Sequence, residues 1–424
     1  MLPPLMVTCC VIVGHCGWWL YCYNRVNASG LPRKLAKSIE KSFLAACALI
    51  PLLIGWFEGD PLANWLATGS RLWPSNAPMF HYWGAWCMAC FFVLGTLWLN
   101  SRRWLIAPPA FLSERVARHA VERQLSTDLL GRRISRLMSY VPGNEITKLS
   151  VTEKGLRIQR TVVGAHGLRI GHLSDLHFTG QLTPAYYQFA FEQFLLCSPD
   201  MICVTGDIID YDHCLDWLES LLGQLRAPLG CYFLMGNHEK RLSDWNEVPK
   251  RLSGLGWHDM GANDALINLC DRDQPLRIWI TGNEQPWFNR RSAKSQLHAA
   301  QEVEPNTLRL GMSHSPDQFP WARRLKLDLL LAGHTHGGQV RLPGIGPLVA
   351  PSWHGSRFAS GVFHLPPTVM HVSRGLAGVH PIRWRCSPEV SLLTIHSALF
   401  SGMHQSEDEI SQLQNGLQSR SHIG

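Results

Sequence analysis

Five short clusters in this sequence carry side chains that bind metal ions: Ser174-Asp175-Leu176-His177, Gly206-Asp207-Ile208-Ile209-Asp210, Gly236-Asn237-His238-Glu239, Ser313-His314-Ser315 and Gly333-His334-Thr335-His336. Carboxylates, neutral imidazoles and one amide oxygen form the donor set of a hard or borderline divalent cation. No cysteine stands among them, as a structural zinc site would require. The mix suits two cations that share one carboxylate, polarise a phosphoryl group and acidify a water. Each cluster alone has a duller explanation: Asp207 or Asp210 caps a helix, Asn237 holds a turn, His314 is a satisfied loop histidine. Their joint occurrence decides, because each follows an apolar run of strand type.

Those runs lie near 168–173, 201–205, 230–235, 308–312 and 327–332, with a sixth near 276–281. The run at 327–332 (LDLLLA) reads as a strand buried on both faces. An H-x-H pair presents both imidazoles to one centre only if the backbone twists, which Gly333, Gly337 and Gly338 permit. Helical segments fall between several strands. Thr183-Pro184 opens one that runs to Leu196, and Leu215, Leu218, Leu221 and Leu222 mark one face of another over residues 214–225. Strands alternating with helices predict an α/β sandwich covered by helices on both faces. They also place all five clusters at the C-terminal edge of one sheet, where such folds carry their sites. The chain has neither a G-x-x-x-x-G-K-[ST] loop nor a G-x-S-x-G elbow, which argues against ATPase and serine-hydrolase chemistry.

The first hundred residues have another character. Nine of the 17 tryptophans fall within residues 1–104, and residues 4–23 and 80–99 are charge-free and long enough to span a bilayer. A third apolar stretch near 41–58 is interrupted by Pro51. The first stretch lacks the basic flank and small-residue cleavage site of a signal peptide. Arg25, Arg33, Lys34, Lys37 and Lys41 follow the first stretch, and Arg102 and Arg103 follow the last. The positive-inside rule therefore puts the N-terminus outside and everything after Arg102 in the cytoplasm. The six later cysteines show no framework spacing, as expected of reduced thiols. Expected domains are a transmembrane anchor over 1–104, a basic juxtamembrane helical linker over 105–145, a catalytic domain over 146–396 and a polar tail over 397–424. A net charge of +7 without a long basic run argues against nucleic acid. No protein partner is evident, and the spans lack the buried charges of a transporter pathway.

The order D-x-H, G-D-x-x-D, G-N-H-E, H, G-H-x-H resembles the signature of the calcineurin-like metallophosphoesterases. The resemblance covers about residues 168–395. G-H-T-H-G-G-Q, with Pro343 and Ser373-Arg374-Gly375, looks like the membrane-associated bacterial branch of that family. It implies a four-layer αββα sandwich behind three transmembrane helices and a cofactor of two divalent ions, Mn²⁺, Fe²⁺/Fe³⁺ or Zn²⁺. One ion would take Asp175, His177, Asp207 and His336; the other would take Asp207, Asn237, His314 and His334. His238 would be the general acid, oriented by Asp210. The implied reaction is hydrolysis of a phosphate ester or pyrophosphate. The substrate would be a phosphorylated small molecule or a lipid-linked compound such as UDP-2,3-diacylglucosamine, met at the membrane. The alternative is a membrane-bound binding or sensor protein with a degenerate site. Two departures stand out: Ala377 replaces the branch's usual glycine, and Tyr211 replaces the arginine of the protein phosphatases.

Overall fold

The computed structural model describes residues 2–69, 72–101, 108–270 and 274–397, in two compact units. Arg71, Arg102 and Arg103 and the polar tail after Ser397 lie outside the described residues.

The larger unit contains the described residues of 108–347 and 358–397. Its first sheet has seven strands: β1 (Phe111–Ala120), β2 (Lys148–Arg157), β3 (Arg169–Leu173), β4 (Met201–Thr205), β5 (Cys231–Leu234), β6 (His258–Asp259) and β15 (Glu389–His396). Their order is β1-β2-β15-β3-β4-β5-β6, with β3 to β6 parallel. The second sheet has six: β7 (Ala265–Leu269), β8 (Leu276–Asn283), β9 (Thr307–Ser313), β10 (Leu329–Ala332), β13 (Gly361–Leu365) and β14 (Thr368–Val372). Their order is β13-β14-β10-β9-β8-β7, and the four inner strands are parallel. A two-stranded ribbon, β11 (Arg341–Leu342) and β12 (Gly346–Pro347), lies between β10 and β13.

Alternation along the strands explains how the layers stack. Met201 and Cys203 of β4 and Tyr232 and Leu234 of β5 face a core shared with Leu308 and Leu310 of β9 and Leu329 and Leu331 of β10. The residues between them, Ile202, Val204 and Phe233, pack on the opposite side with Phe191 and Phe194 of the helix Pro184–Leu195. Leu330 and Ala332 pack outward against Phe319 and Trp321 of the helix Phe319–Arg324. Two sheets face to face with helices outside give four layers. The five clusters therefore do not share one sheet, as the strand–helix alternation suggested. Three follow β3, β4 and β5 of the first sheet and two follow β9 and β10 of the second.

A second correction concerns the expected basic helical linker. Phe111–Ala120 is a strand, paired antiparallel with β2 through Ala117↔Val151 and Arg118↔Ser150, and among the described residues of the linker only Val121–Gln124 and Arg133–Ser139 are helical. Arginines three apart (Arg115, Arg118) imitate a helical face, but the open backbone edge of β2 overrides that local preference. Exposed charges along β1 then keep the new edge from pairing further. The expected helix over 214–225 is also broken, into a 3₁₀ turn at Asp212–Cys214 and a π turn at Leu218–Leu222. Ser243 donates to Asp212 from its backbone N–H and its hydroxyl, pinning the first turn from outside the segment.

The smaller unit contains the described residues of 2–101 and 348–357. Its helices α1 (Leu2–Ala28), α2 (Arg33–Thr68) and α3 (Pro78–Ser101) are each long and apolar enough to cross a membrane. Its interior is small and joined by a few polar groups. His15 of α1 faces the Cys47 carbonyl of α2 at 3.0 Å and accepts from Trp83 Nε1 of α3 at 3.1 Å. A Cβ at Gly14 would lie 1.9 Å from the Cys87 carbonyl oxygen, so only glycine lets α1 and α3 approach this closely. The dihedral break in α2 falls at Glu58, one turn before Pro61, rather than at Pro51. There the buried Glu58 carboxylate accepts from the N–H groups of Met79 and Phe80, at 2.7 and 2.8 Å, and caps α3. Asn24 holds residues 348–357 to this unit, donating to the Leu348 carbonyl and accepting from Ala350 N–H.

Candidate metal centre

The strand ends bring their loops together at strained backbone. Asp175, His177, Asp207, His334 and His336 all have positive φ, between 46° and 71°, a region that side chains other than glycine rarely occupy. The two sheets nearly touch here. A Cβ at Gly333 would lie 1.8 Å from Ser174 Oγ, and His334 N–H donates to the Asp175 carboxylate at 3.0 Å.

The candidate donor atoms form two adjoining groups. In the first, His177 Nε2 lies 3.3 Å from His336 Nε2, 3.6 Å from Asp207 Oδ2 and 4.0 Å from Asp175 Oδ1, and His336 Nε2 lies 3.6 Å from Asp175 Oδ1. In the second, His314 Nε2 lies 3.2 Å from Asp207 Oδ2, 3.2 Å from Asn237 Oδ1 and 3.1 Å from His334 Nδ1. Donors bound at about 2.1 Å to one cation, at right angles to each other, stand about 3 Å apart, so both groups are of coordinating size. All eight positions named from the sequence for the two ions, with Asp207 counted in both, therefore lie in one place.

The surroundings fix which nitrogen faces inward. His177 Nδ1 donates to Asp210 Oδ2 at 2.7 Å, His314 Nδ1 to the Thr205 carbonyl at 2.7 Å and His336 Nδ1 to the Ala377 carbonyl at 3.1 Å. Each Nε2 lone pair is thereby left for a ligand, the arrangement metal-binding histidines show. Asp207 Oδ2 is buried without a hydrogen-bond partner, a costly state for an anion that a cation would relieve. Burial opposes ionisation of Asp207, yet the His238 and His314 rings outweigh it and hold the carboxyl well below the usual range. Burial likewise pushes His334 and His336 well down, whereas for His177 and His314 the neighbouring carboxylates outweigh burial and raise the ring. These residues fit two divalent ions.

Asp210 and His238 adjoin this centre. Asp210 accepts from His177, from His238 Nδ1 and from Arg241 Nη1 at 2.6 Å. Burial brings His238 down to about 4, against the pull of Asp207 and Asp210. Glu239 closes the G-N-H-E cluster, whose sequence alone assigns it no role. Its carboxylate accepts from Ile208, Ile209 and Gly236 N–H, at 2.6, 3.1 and 2.7 Å, and so holds the Asp207 and Asn237 loops together. Burial, then the Asp207 charge, raise Glu239 to about 7. Arg241 was missed, although it stands three residues after His238. Trp287 was missed too, and no local pattern announces it; its ring lies 4.6 Å from His334 and 5.3 Å from His314, walling the second group.

Behind the site a buried polar seam joins the sheets. Lys154 of β2 pairs with Glu389 of β15 at 2.5 Å and faces His371 of β14 at 3.2 Å. His371 contacts His172, and His172 contacts the Thr205 hydroxyl.

The layering and the facing loops define a metallophosphoesterase sandwich. Residues 168–338 match the family model for calcineurin-like phosphoesterases, and the chain carries that domain. Family members use a dinuclear metal centre, and the chain is a metal-dependent hydrolase of phosphoric esters. It is similar to the uncharacterized metallophosphoesterase YkuE of Bacillus subtilis, 27% identical over 255 residues, covering 59% of this chain and 86% of the relative. It is also similar to the phosphodiesterase YaeI of Escherichia coli, 26% identical over 231 residues (54% and 82%). A third relative is the UDP-2,3-diacylglucosamine pyrophosphatase LpxG of Chlamydia muridarum, 24% identical over 293 residues (58% and 88%).

Proposed function

We propose that this protein is a membrane-anchored phosphoesterase that hydrolyses a lipid-linked phosphate ester or pyrophosphate at the cytoplasmic face. The observation that carries the reading is the unpartnered Asp207 Oδ2, buried between two groups of imidazole nitrogens whose other ring atoms are largely committed. Asp175, His177, Asp207 and His336 would hold one ion, and Asp207, Asn237, His314 and His334 the other. When bound, the pair supplies Lewis acidity toward a phosphoryl group and a water. Mn²⁺, Fe and Zn²⁺ all suit these donors. Asp210 orients His177 and His238, and His238 gives a proton to a departing alkoxide.

The three apolar helices support the lipid-linked reading, since an anchor keeps the site where such a substrate resides. Similarity to a UDP-2,3-diacylglucosamine pyrophosphatase supports that compound as the first candidate. Basic residues in the last turn of α1 (Arg25) and the first turns of α2 (Arg33, Lys34, Lys37 and Lys41) support the cytoplasmic placement. The test is hydrolysis by the detergent-solubilised protein with Mn²⁺, across phosphomonoesters, phosphodiesters and nucleotide-sugar lipids. Turnover of the lipid-linked diphosphate well above the others is expected. No turnover of any substrate, with two metals bound, would leave a binding or sensor protein.

A further inference from the structure

Arg241 ends the single turn Glu239–Arg241, and only 14% of its side chain is exposed. One arm of its guanidinium donates to Asp210 Oδ1, and the other, Nη2, lies 2.7 Å from His238 Nε2. That nitrogen lies 3.7 Å from Asp207 Oδ2. Arg241 Nη2 therefore stands at the margin of the candidate centre, beside His238.

The two groups at that place suit different leaving groups. An alkoxide is a strong base and departs only with a proton. A phosphate is a weak base, with its second pKa at about 6; it departs unprotonated and requires a fixed positive charge. Guanidinium is always charged and forks onto phosphate oxygens.

We infer that Arg241 binds the departing phosphate of a diphosphate substrate and makes this centre selective for the phosphoanhydride bond. This rests on the phosphoesterase reading above and narrows its substrate class. In the step, a water oxygen bonds to one phosphorus and the P–O anhydride bond breaks. The electron pair leaves on the bridging oxygen, and the second phosphate departs onto Arg241. One water is consumed, and its protons are distributed between the two phosphate products and solvent.

The experiment compares full-length wild type, Arg241→Ala and Arg241→Lys, each in detergent with Mn²⁺ and metal content measured. Substrates are bis(p-nitrophenyl) phosphate as the diester, and UDP-N-acetylglucosamine and UDP-2,3-diacylglucosamine as the diphosphates. For Arg241→Ala, the ratio of kcat/KM on diphosphate to that on diester should fall by about 10–100-fold, the range for a lost hydrogen bond to a charged group. Two metals should be retained. Arg241→Lys should recover part of the ratio, since it keeps the charge and loses the fork. Equal losses on both substrate types would overturn the inference and leave Arg241 as a positioning residue for Asp210 and His238. A wild type that cleaves the diester but neither diphosphate would overturn it while the phosphoesterase reading stands. A wild type inactive on all three would overturn both.

Discussion

The two sheets contribute unlike halves of the centre. The loops after β3, β4 and β5 supply Asp175, Asp207 and Asn237 with one imidazole, His177, and behind them Asp210, Glu239 and Arg241. The loops after β9 and β10 supply His314, His334 and His336, all imidazoles. One sheet therefore sets the charge of the site and the other closes it with nitrogen. The supports differ accordingly. Carboxylates with several donors each hold the first sheet's loops, whereas backbone carbonyls and the Trp287 ring steady the second sheet's histidines. Neither half offers a complete ion site without Asp207, which reaches both.

The sharpest break in this contrast is Asp207→Asn, which removes the only carboxylate common to the two groups. Both metals should be lost, and hydrolysis should fall to background. Elemental analysis that still found two metals per chain would refute the shared position. His314→Ala, on the imidazole side, should lose one metal and keep the other, with activity strongly reduced. If it lost both, the second sheet would hold more than half of the centre.

His238→Ala tests the first sheet's chemistry rather than its ligands. Both metals should remain, while substrates with alkoxide leaving groups slow by about 10²–10⁴-fold. A nitrophenolate ester should slow far less, because that group leaves without a proton. Equal losses on both would argue against proton donation.

The smallest effect on turnover is expected from Glu389→Gln, in the seam that joins the sheets behind the site. Burial opposes ionisation of Glu389, but Arg374 and Lys154 outweigh it and hold its carboxyl well below the usual range. A depressed folded-state value stabilises the protein above the unfolded carboxyl's pKa, and that stability is lost as pH falls through the folded value. The variant should lose about 3–5 kcal/mol at neutral pH and show a flatter acid limb in thermal unfolding. An unchanged acid limb would mean that the seam titrates elsewhere.

The five clusters were legible because metal chemistry restricts residue type and each cluster directly follows a strand; the choice of Asp175, His177, Asp207, Asn237, His314, His334 and His336 among them came from the family resemblance. Helices α1 and α3 were legible for a related reason, since a bilayer demands length and the absence of charge. Strand β1 was not, because its arginine spacing carries a helical signal and only the free edge of β2 makes it a strand. Nor was the division of the clusters between two sheets: apolar alternation shows that a strand is buried but not which neighbour buries it. Arg241 and Trp287 belong to the same class, because their roles arise from proximity to His238 and His334 in space. Residue chemistry and local period are written along the chain. Pairing partners and second contacts are decided only when distant segments pack, which no local pattern encodes.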